Sequence, residues 1–156
     1  MTHAESGSQP DSQPESRAEV RIRRIGADGP SGAGGRYVLD VTEGQFHLLR
    51  RAVLTLAYDE TSPAVRALVL GSGEVSLDAP LQLGLSYDDA VPGPVTLTFE
   101  QLHALHAVLT TLPSATIWPE PEFVERVGDF RETVLRMAGR LRWAFGAQRT
   151  AEGEHG

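Results

Sequence analysis

The chain contains no cysteine, no lysine and no asparagine among its 156 residues. Without cysteine it can form no disulfide, thiolate nucleophile, iron–sulfur cluster or cysteine zinc site. Without lysine it has neither a phosphate-loop lysine nor a Schiff-base lysine, since all 14 basic residues are arginine. Because asparagine is also missing, the composition is typical of a GC-rich bacterial genome, and codon bias accounts for the missing lysine before any functional reason.

Long apolar runs and an excess of positive charge are also missing. No run approaches the length of a membrane span, and the N-terminus has no basic-then-apolar signal pattern. We therefore expect a soluble, cytoplasmic protein with no membrane contact. The net charge of −7 repels phosphate backbones, which counts against a nucleic-acid partner unless a basic patch is segregated on one face.

The composition along the chain predicts one folded domain between two tails. Residues 1–18 are mostly Ser, Gln, Pro and Glu, with almost nothing to bury, and predict a disordered tail. Residues 147–156 predict a second disordered tail for the same reason. Residues 19–146 hold the apolar patterns and form the predicted single domain.

Alternating and helical apolar patterns predict an α+β fold. Strands are predicted at 20–25, 36–41 and 93–98, with weaker strand patterns at 74–78 and 81–87. A helix follows the second strand and another follows the third, while residues 63–70 fit helix or strand equally well. A long helix is predicted from Phe123 onwards. The predicted fold is a small, mostly antiparallel sheet with two repeated strand–helix units and a long C-terminal helix.

The two strand–helix units are related by a shift of 56 residues, which aligns TEGQFHLLRRAVLTL with TFEQLHALHAVLTTL. Thr, Gln, His and Leu recur in the two segments, beginning with Thr42 and Thr98. Amphipathic helices share leucines by period alone, but a matched threonine cap, glutamine and histidine favour a duplicated unit. Two such copies are predicted to pack together with quasi-two-fold symmetry.

The last predicted helix carries apolar residues in heptad-like steps of 4 and 3, from Phe123 to Leu141. This seam has two interpretations. It is the core-facing side of a helix laid over the sheet, or its distal half pairs with another chain. The second interpretation gives five predicted partner-binding residues: Val134, Met137, Leu141, Trp143 and Phe145.

A histidine pair on the second repeated helix is the main candidate for chemistry. His103 and His106 lie three apart behind Glu100, a spacing that can hold a metal or support proton transfer. A metal site needs three or four ligands, and the repeat places Arg50, which cannot ligate, at the position of His106. Solvated histidines at the helix edge are therefore favoured, and neither a metal nor another cofactor is predicted.

Other motifs give no catalytic residue. The glycine-rich segment at 26–35 precedes a strand and opens no helix, unlike a dinucleotide loop. No G-x-S-x-G nucleophile elbow occurs. Arginines of the last helix fall on both flanks of the seam, which favours solvated flanks or salt bridges over one nucleic-acid stripe.

These patterns favour a non-enzymatic accessory or regulatory protein that acts through contacts with a protein partner or with a second copy of itself. Self-association through the C-terminal helix is one form of this hypothesis. A small metal-dependent enzyme or metal-binding protein using His103 and His106 is the first alternative, so the question of enzymatic activity stays open. Nucleic-acid binding through the arginine-rich C-terminal helix is the second alternative.

Overall fold

A computed structural model describes residues 19–26, 34–58, 67, 75–86, 89–115 and 117–154. The predictions for residues 1–18 and for the segment 63–70 lie outside these residues, apart from residue 67. The described elements are three strands and four helices, which confirms the predicted α+β class. They are β1 (Arg21–Ile25), β2 (Arg36–Asp40), α1 (Glu43–Tyr58), β3 (Val95–Thr98), α2 (Phe99–Ala115), α3 (Glu120–Val127) and α4 (Arg131–Gly153).

The sheet is antiparallel throughout its described strands, in the order β1-β2-β3. Ile22 lies opposite Leu39, and Leu39 lies opposite Val95, so the three buried side chains form one row across the sheet. Because side chains alternate along a strand, this row marks the face covered by the helices. The opposite face carries an ion pair between Arg23 and Asp40 at 2.9 Å.

The two predicted repeats have the same local structure. In the first, the Thr42 N–H donates to Gln45 Oε1 at 2.9 Å and the Gln45 N–H donates to Thr42 Oγ1 at 3.2 Å. In the second, Thr98 and Gln101 exchange the same two hydrogen bonds at the same two distances. This reciprocal capping box satisfies backbone N–H groups that have no partner at a helix start. A strand followed by a threonine cap and a helix therefore occurs twice, as predicted.

The pairing of β2 with β3 shows how the two repeats are related. Leu39 lies directly opposite Val95, and these residues are equivalent to one another under the shift of 56. When equivalent residues of two antiparallel strands face each other, a two-fold axis between them relates the strands. The register thus agrees with the predicted quasi-two-fold arrangement, and α1 and α2 contact each other.

The predicted long C-terminal helix is confirmed as α4, but it begins at Arg131 rather than at Phe123, because the separate helix α3 precedes it. α3 ends at Val127 and is capped by Gly128, which has a left-handed φ of 88° and donates its N–H to the Val124 carbonyl at 2.7 Å. A side chain at Gly128 would meet the Arg51 guanidinium, 2.7 Å from the ideal Cβ position. Glycine accepts both constraints. The seam residue Phe130 consequently lies between the helices and is 58% exposed.

The weak strands predicted near 74–78 and 81–87 are also wrong where the structure describes them. Residues 75–86 contain consecutive turns and no strand. The Leu81 N–H donates to the Leu77 carbonyl at 3.2 Å, and both leucines are buried. A helical turn places residues four apart on one side, which explains how both reach the core.

Helix α4 ends at Gly153 rather than at the predicted domain boundary of 146. Its 23 residues extend about 35 Å at roughly 1.5 Å per residue. Alanine, glutamine, arginine and glutamate after 146 favour helix. Glu152 also lies 3.6 Å from Arg24 of β1, which fixes the end of α4 against the sheet.

Candidate functional site

Three of the five predicted partner-binding residues lie in the core of the chain. Val134, Met137 and Leu141 are exposed by 0%, 3% and 2%, and they pack with buried residues of the other elements. The seam of α4 therefore faces the core, as the first of the two interpretations expected. A partner could contact these three side chains only after they had left the core, and their role in binding stays a prediction.

Phe145, the fourth of these residues, is half-buried against the sheet. Its ring centroid lies 5.6 Å from that of Tyr37 on β2 and 5.8 Å from that of Phe99 on α2. Tilted rings at these separations attract one another. This aromatic cluster joins the sheet, the start of α2 and the distal half of α4.

Trp143, the fifth residue, is on the opposite side of α4 and is 68% exposed. Helical geometry places small residues within about 60° of it around the helix axis. Since these neighbours have short side chains or none, the indole stands beside two depressions, one of which is also lined by Glu19 and Val20. We call this surface the outer face of α4; it consists of Gly139, Trp143, Gly146, Ala147 and Thr150.

Charged residues lie at the two ends of the outer face. Arg136 is near its start, 54% exposed, and donates to Glu132 at 2.7 Å. Glu154 follows the last residue of the helix and is exposed. Because Glu132 pairs with Arg136, the start of the outer face carries no net charge, whereas Glu154 makes its other end negative.

Arg131 fixes the start of α4 to the rest of the fold. Its Nε donates to the Pro113 carbonyl at 3.0 Å, and its backbone N–H donates to Glu120 at 2.9 Å. The guanidinium also bonds to the Trp118 carbonyl and stacks 4.3 Å from the centre of the Phe123 ring. The hydrogen bonds that the backbone N–H and the guanidinium of Arg131 donate to Glu120 lower the pKa of that carboxyl below its ordinary value. Arg131 thus fixes the direction in which α4 leaves α3.

The histidine pair lines a second candidate site, between the first turns of α2 and the distal half of α4. His106 is half-buried, whereas His103 is exposed. We call this site the α2–α4 pocket. Its volume is about 180 Å³, and it is lined by Phe99, Leu102, His103, His106, Leu141, Arg142 and Phe145.

Burial lowers the pKa of His106 below its ordinary value, and the positive charge of Arg142 and the nearby His103 lower it further. The neutral imidazole is therefore favoured at neutral pH. Within the described residues, no group of three or more histidine, aspartate or glutamate side chains is placed to hold a metal ion. The first alternative function would need additional ligands from residues beyond these.

The repeat-equivalent position on α1 has a different surface. His47, the counterpart of His103, lies 3.8 Å from Glu43, and Glu43 is the counterpart of Phe99. Arg50, the counterpart of His106, is buried and donates to the Leu85 carbonyl at 3.0 Å. The two repeats thus share a framework while their exposed first turns differ.

Sequence reasoning placed His103 and His106 on a helix edge but missed the residues that complete the α2–α4 pocket. Phe99 could have been found from the repeat, because an apolar residue replaces Glu43 immediately after the cap. Arg142 is distant in sequence, and no local pattern links it to α2. The glycines of the outer face were missed because the apolar period that predicts the seam gives no information about small residues on the opposite side of the helix.

No protein-family model, curated protein or solved structure matches this chain. Among the described helices, none is long and apolar enough to cross a membrane.

Proposed function

We propose that this protein is a non-enzymatic accessory protein that acts through protein–protein contacts, and that it pairs with a second copy of itself through the outer face of α4. The observation that carries the proposal is the exposure of Trp143 between small residues. Large exposed aromatic side chains are enriched where proteins meet, since they bury much apolar area at little entropic cost.

The shape of the outer face favours a second copy as the partner. A two-fold interface uses the same surface on both subunits, so that surface must complement itself. In an antiparallel pair centred near Phe145, Trp143 of one chain lies opposite Ala147 of the other. Gly139 then lies opposite Ala151. A projecting indole therefore meets a hollow on each side of the axis, as knobs meet holes in helix packing.

The charges of the outer face favour the same arrangement. The pairing that places Trp143 opposite Ala147 also places Arg136 opposite Glu154, because each pair is symmetric about position 145. In this arrangement Arg136 meets Glu154 of the second chain in addition to Glu132 of its own chain, whereas a parallel pair would place each of these residues opposite its own copy. Shape and charge thus agree on one orientation.

Sedimentation velocity over a range of protein concentrations tests this proposal. We expect the unaltered chain to dimerise, and Trp143→Glu to be a folded monomer because a carboxylate would be buried in the hollow. Ile117→Glu is the matched control, since Ile117 is 97% exposed and lies outside the outer face. This control variant should dimerise normally.

A charge exchange tests the orientation. Arg136→Glu should weaken the dimer, and the double variant Arg136→Glu, Glu154→Arg should restore it. A chain that stays monomeric at every concentration would overturn self-association. A dimer that Trp143→Glu and Ile117→Glu weaken equally would overturn the role of the outer face.

A further inference from the structure

The α2–α4 pocket has an apolar interior of a size that fits one aromatic ring. Its floor consists of buried Leu102 and Leu141, and Phe99 and half-buried Phe145 form one wall. Phe99 is 49% exposed, although exposure of a large apolar side chain to water is unfavourable. An engineered apolar cavity of roughly 150 Å³ holds benzene. A pocket of about 180 Å³ therefore accommodates a ring with a short substituent.

The rim of the same pocket is basic. Arg142, His103 and His106 line it, and none of its lining residues is acidic. This local balance is opposite to that of the whole chain, which carries 21 acidic and 14 basic residues. Within the described part of the chain, Arg142 forms no ion pair, unlike Arg131 and Arg136 on the same helix.

We propose that the α2–α4 pocket binds a small aromatic monocarboxylate, with the ring against Phe99 and Phe145 and the carboxylate at Arg142 and His106. The apolar wall supplies the area that an aromatic ring buries, and a guanidinium pairs well with a carboxylate. A mostly apolar pocket with a few convergent polar groups is the usual form of a small-ligand site. This site is separate from the outer face of α4 and goes beyond the proposed self-association.

The equivalent position of the first repeat explains why only the second is suited to such a ligand. There Glu43 replaces Phe99 and lies 3.8 Å from His47, so an acidic group already occupies the neighbourhood of the histidine. Replacement of glutamate by phenylalanine removes a negative charge and adds an aromatic wall at once. The two changes act in the same direction, towards binding an aromatic anion.

Ligand binding should be linked to protonation of His106. Burial, Arg142 and His103 all lower the pKa of its imidazole, which favours the neutral form at neutral pH. Among the described residues, Arg142 and His103 are the titratable groups that act on it. A bound carboxylate favours the imidazolium form, so binding takes up a proton. The affinity should therefore rise as the pH falls from about 7.5 to about 6.

Nuclear magnetic resonance of the histidine side chains tests the proposal, with 3-phenylpropionate as the probe. We expect saturable shifts of the His103 and His106 resonances and no shift of His47, which serves as the internal control. The neutral analogue 3-phenylpropan-1-ol should bind about tenfold more weakly, because it cannot pair with the guanidinium. The cationic analogue 3-phenylpropylamine should not bind.

Arg142→Gln should weaken binding of 3-phenylpropionate about tenfold, and it should fold normally because Arg142 is exposed. Arg149→Gln removes the same charge from the same helix outside the pocket and should leave the affinity unchanged. The proposal is overturned by an absence of saturable shifts, by equal binding of acid and alcohol, or by equal effects of the two arginine variants.

Discussion

The two faces of α4 differ in composition, in burial and in the expected effect of a substitution on stability. The inner face consists of Val134, Met137, Ala138, Leu141 and Ala144, all of which are buried in the core. The outer face carries one large apolar residue, Trp143, among glycines, alanine and threonine. A regular apolar seam thus marks the side that packs within the chain. A single exposed aromatic residue among small neighbours marks the side that the proposed dimer uses.

This difference changes how a partner surface should be sought in the sequence. The partner-binding surface was predicted on the heptad-like seam because the period of the seam resembles that of a coiled coil. A helix laid over a sheet needs the same apolar stripe for its own core, so the period does not distinguish the two roles. Burial does distinguish the two sides of α4, since Leu141 is 2% exposed and Trp143 is 68% exposed.

The largest expected effect contrasts one residue of each face. Leu141→Ala should lower the free energy of unfolding by about 2 to 5 kcal/mol, since it leaves a cavity in the core. Trp143→Ala should change it by less than about 0.5 kcal/mol when measured at a concentration where monomer prevails. Urea denaturation measures both values. Similar losses for the two variants would contradict the assignment of the faces.

The second effect contrasts two arginines near the start of α4. Arg131→Ala should cost about 1 to 3 kcal/mol, because the Pro113 and Trp118 carbonyls lose their charged donor. Arg136→Ala removes only an exposed pair with Glu132 and should cost about 0.3 to 0.5 kcal/mol. The same denaturation series gives the comparison. An Arg136→Ala cost as large as that of Arg131→Ala would show that Arg131 does not anchor the helix.

The smallest expected effect is a pH dependence of stability that arises from His106, which lies on α2 beside Leu141 of the inner face. Because the folded chain lowers the pKa of His106, the unfolded chain binds protons more readily between the folded value and about 6.5. The free energy of unfolding should have its full value above about pH 6.5, and it should fall as the pH drops below this value through the lowered pKa of His106. His106→Gln should reduce this loss, whereas His47→Gln should leave it in place. Thermal unfolding between pH 7.5 and 5 would show equal loss in both variants if His106 played no part.

The strand–helix units could be predicted from the sequence because their signals are local. Thr42 and Gln45, like Thr98 and Gln101, are three residues apart, and both capping boxes follow from that spacing. The break after α3 was missed because buried Phe123 and Val127 continue the period of α4 across it. Gly128 carried the signal for the break.

The candidate sites were less predictable because they combine distant parts of the chain. His103 and His106 were visible as a pair, but the role of Arg142 depends on how α4 packs beside α2. Trp143 was one of the five predicted partner residues, but which of the five face outwards depends on the orientation of α4. That orientation is set by the contacts of Arg131 with Pro113 and Trp118. Tertiary contacts of this kind leave no periodic pattern.

The distance between equivalent residues of two chains is the most direct test of the proposed antiparallel dimer. Since the chain has no cysteine, Leu135→Cys provides a single attachment point for a spin label, 47% exposed and beside the outer face. An antiparallel pair centred near position 145 predicts that the two labels lie about 30 Å apart along the helix axes, at roughly 1.5 Å per residue. Pulsed electron–electron double resonance measures this separation. A distance distribution centred near this value would support the pairing, whereas labels in direct proximity or no dipolar coupling between chains would contradict it.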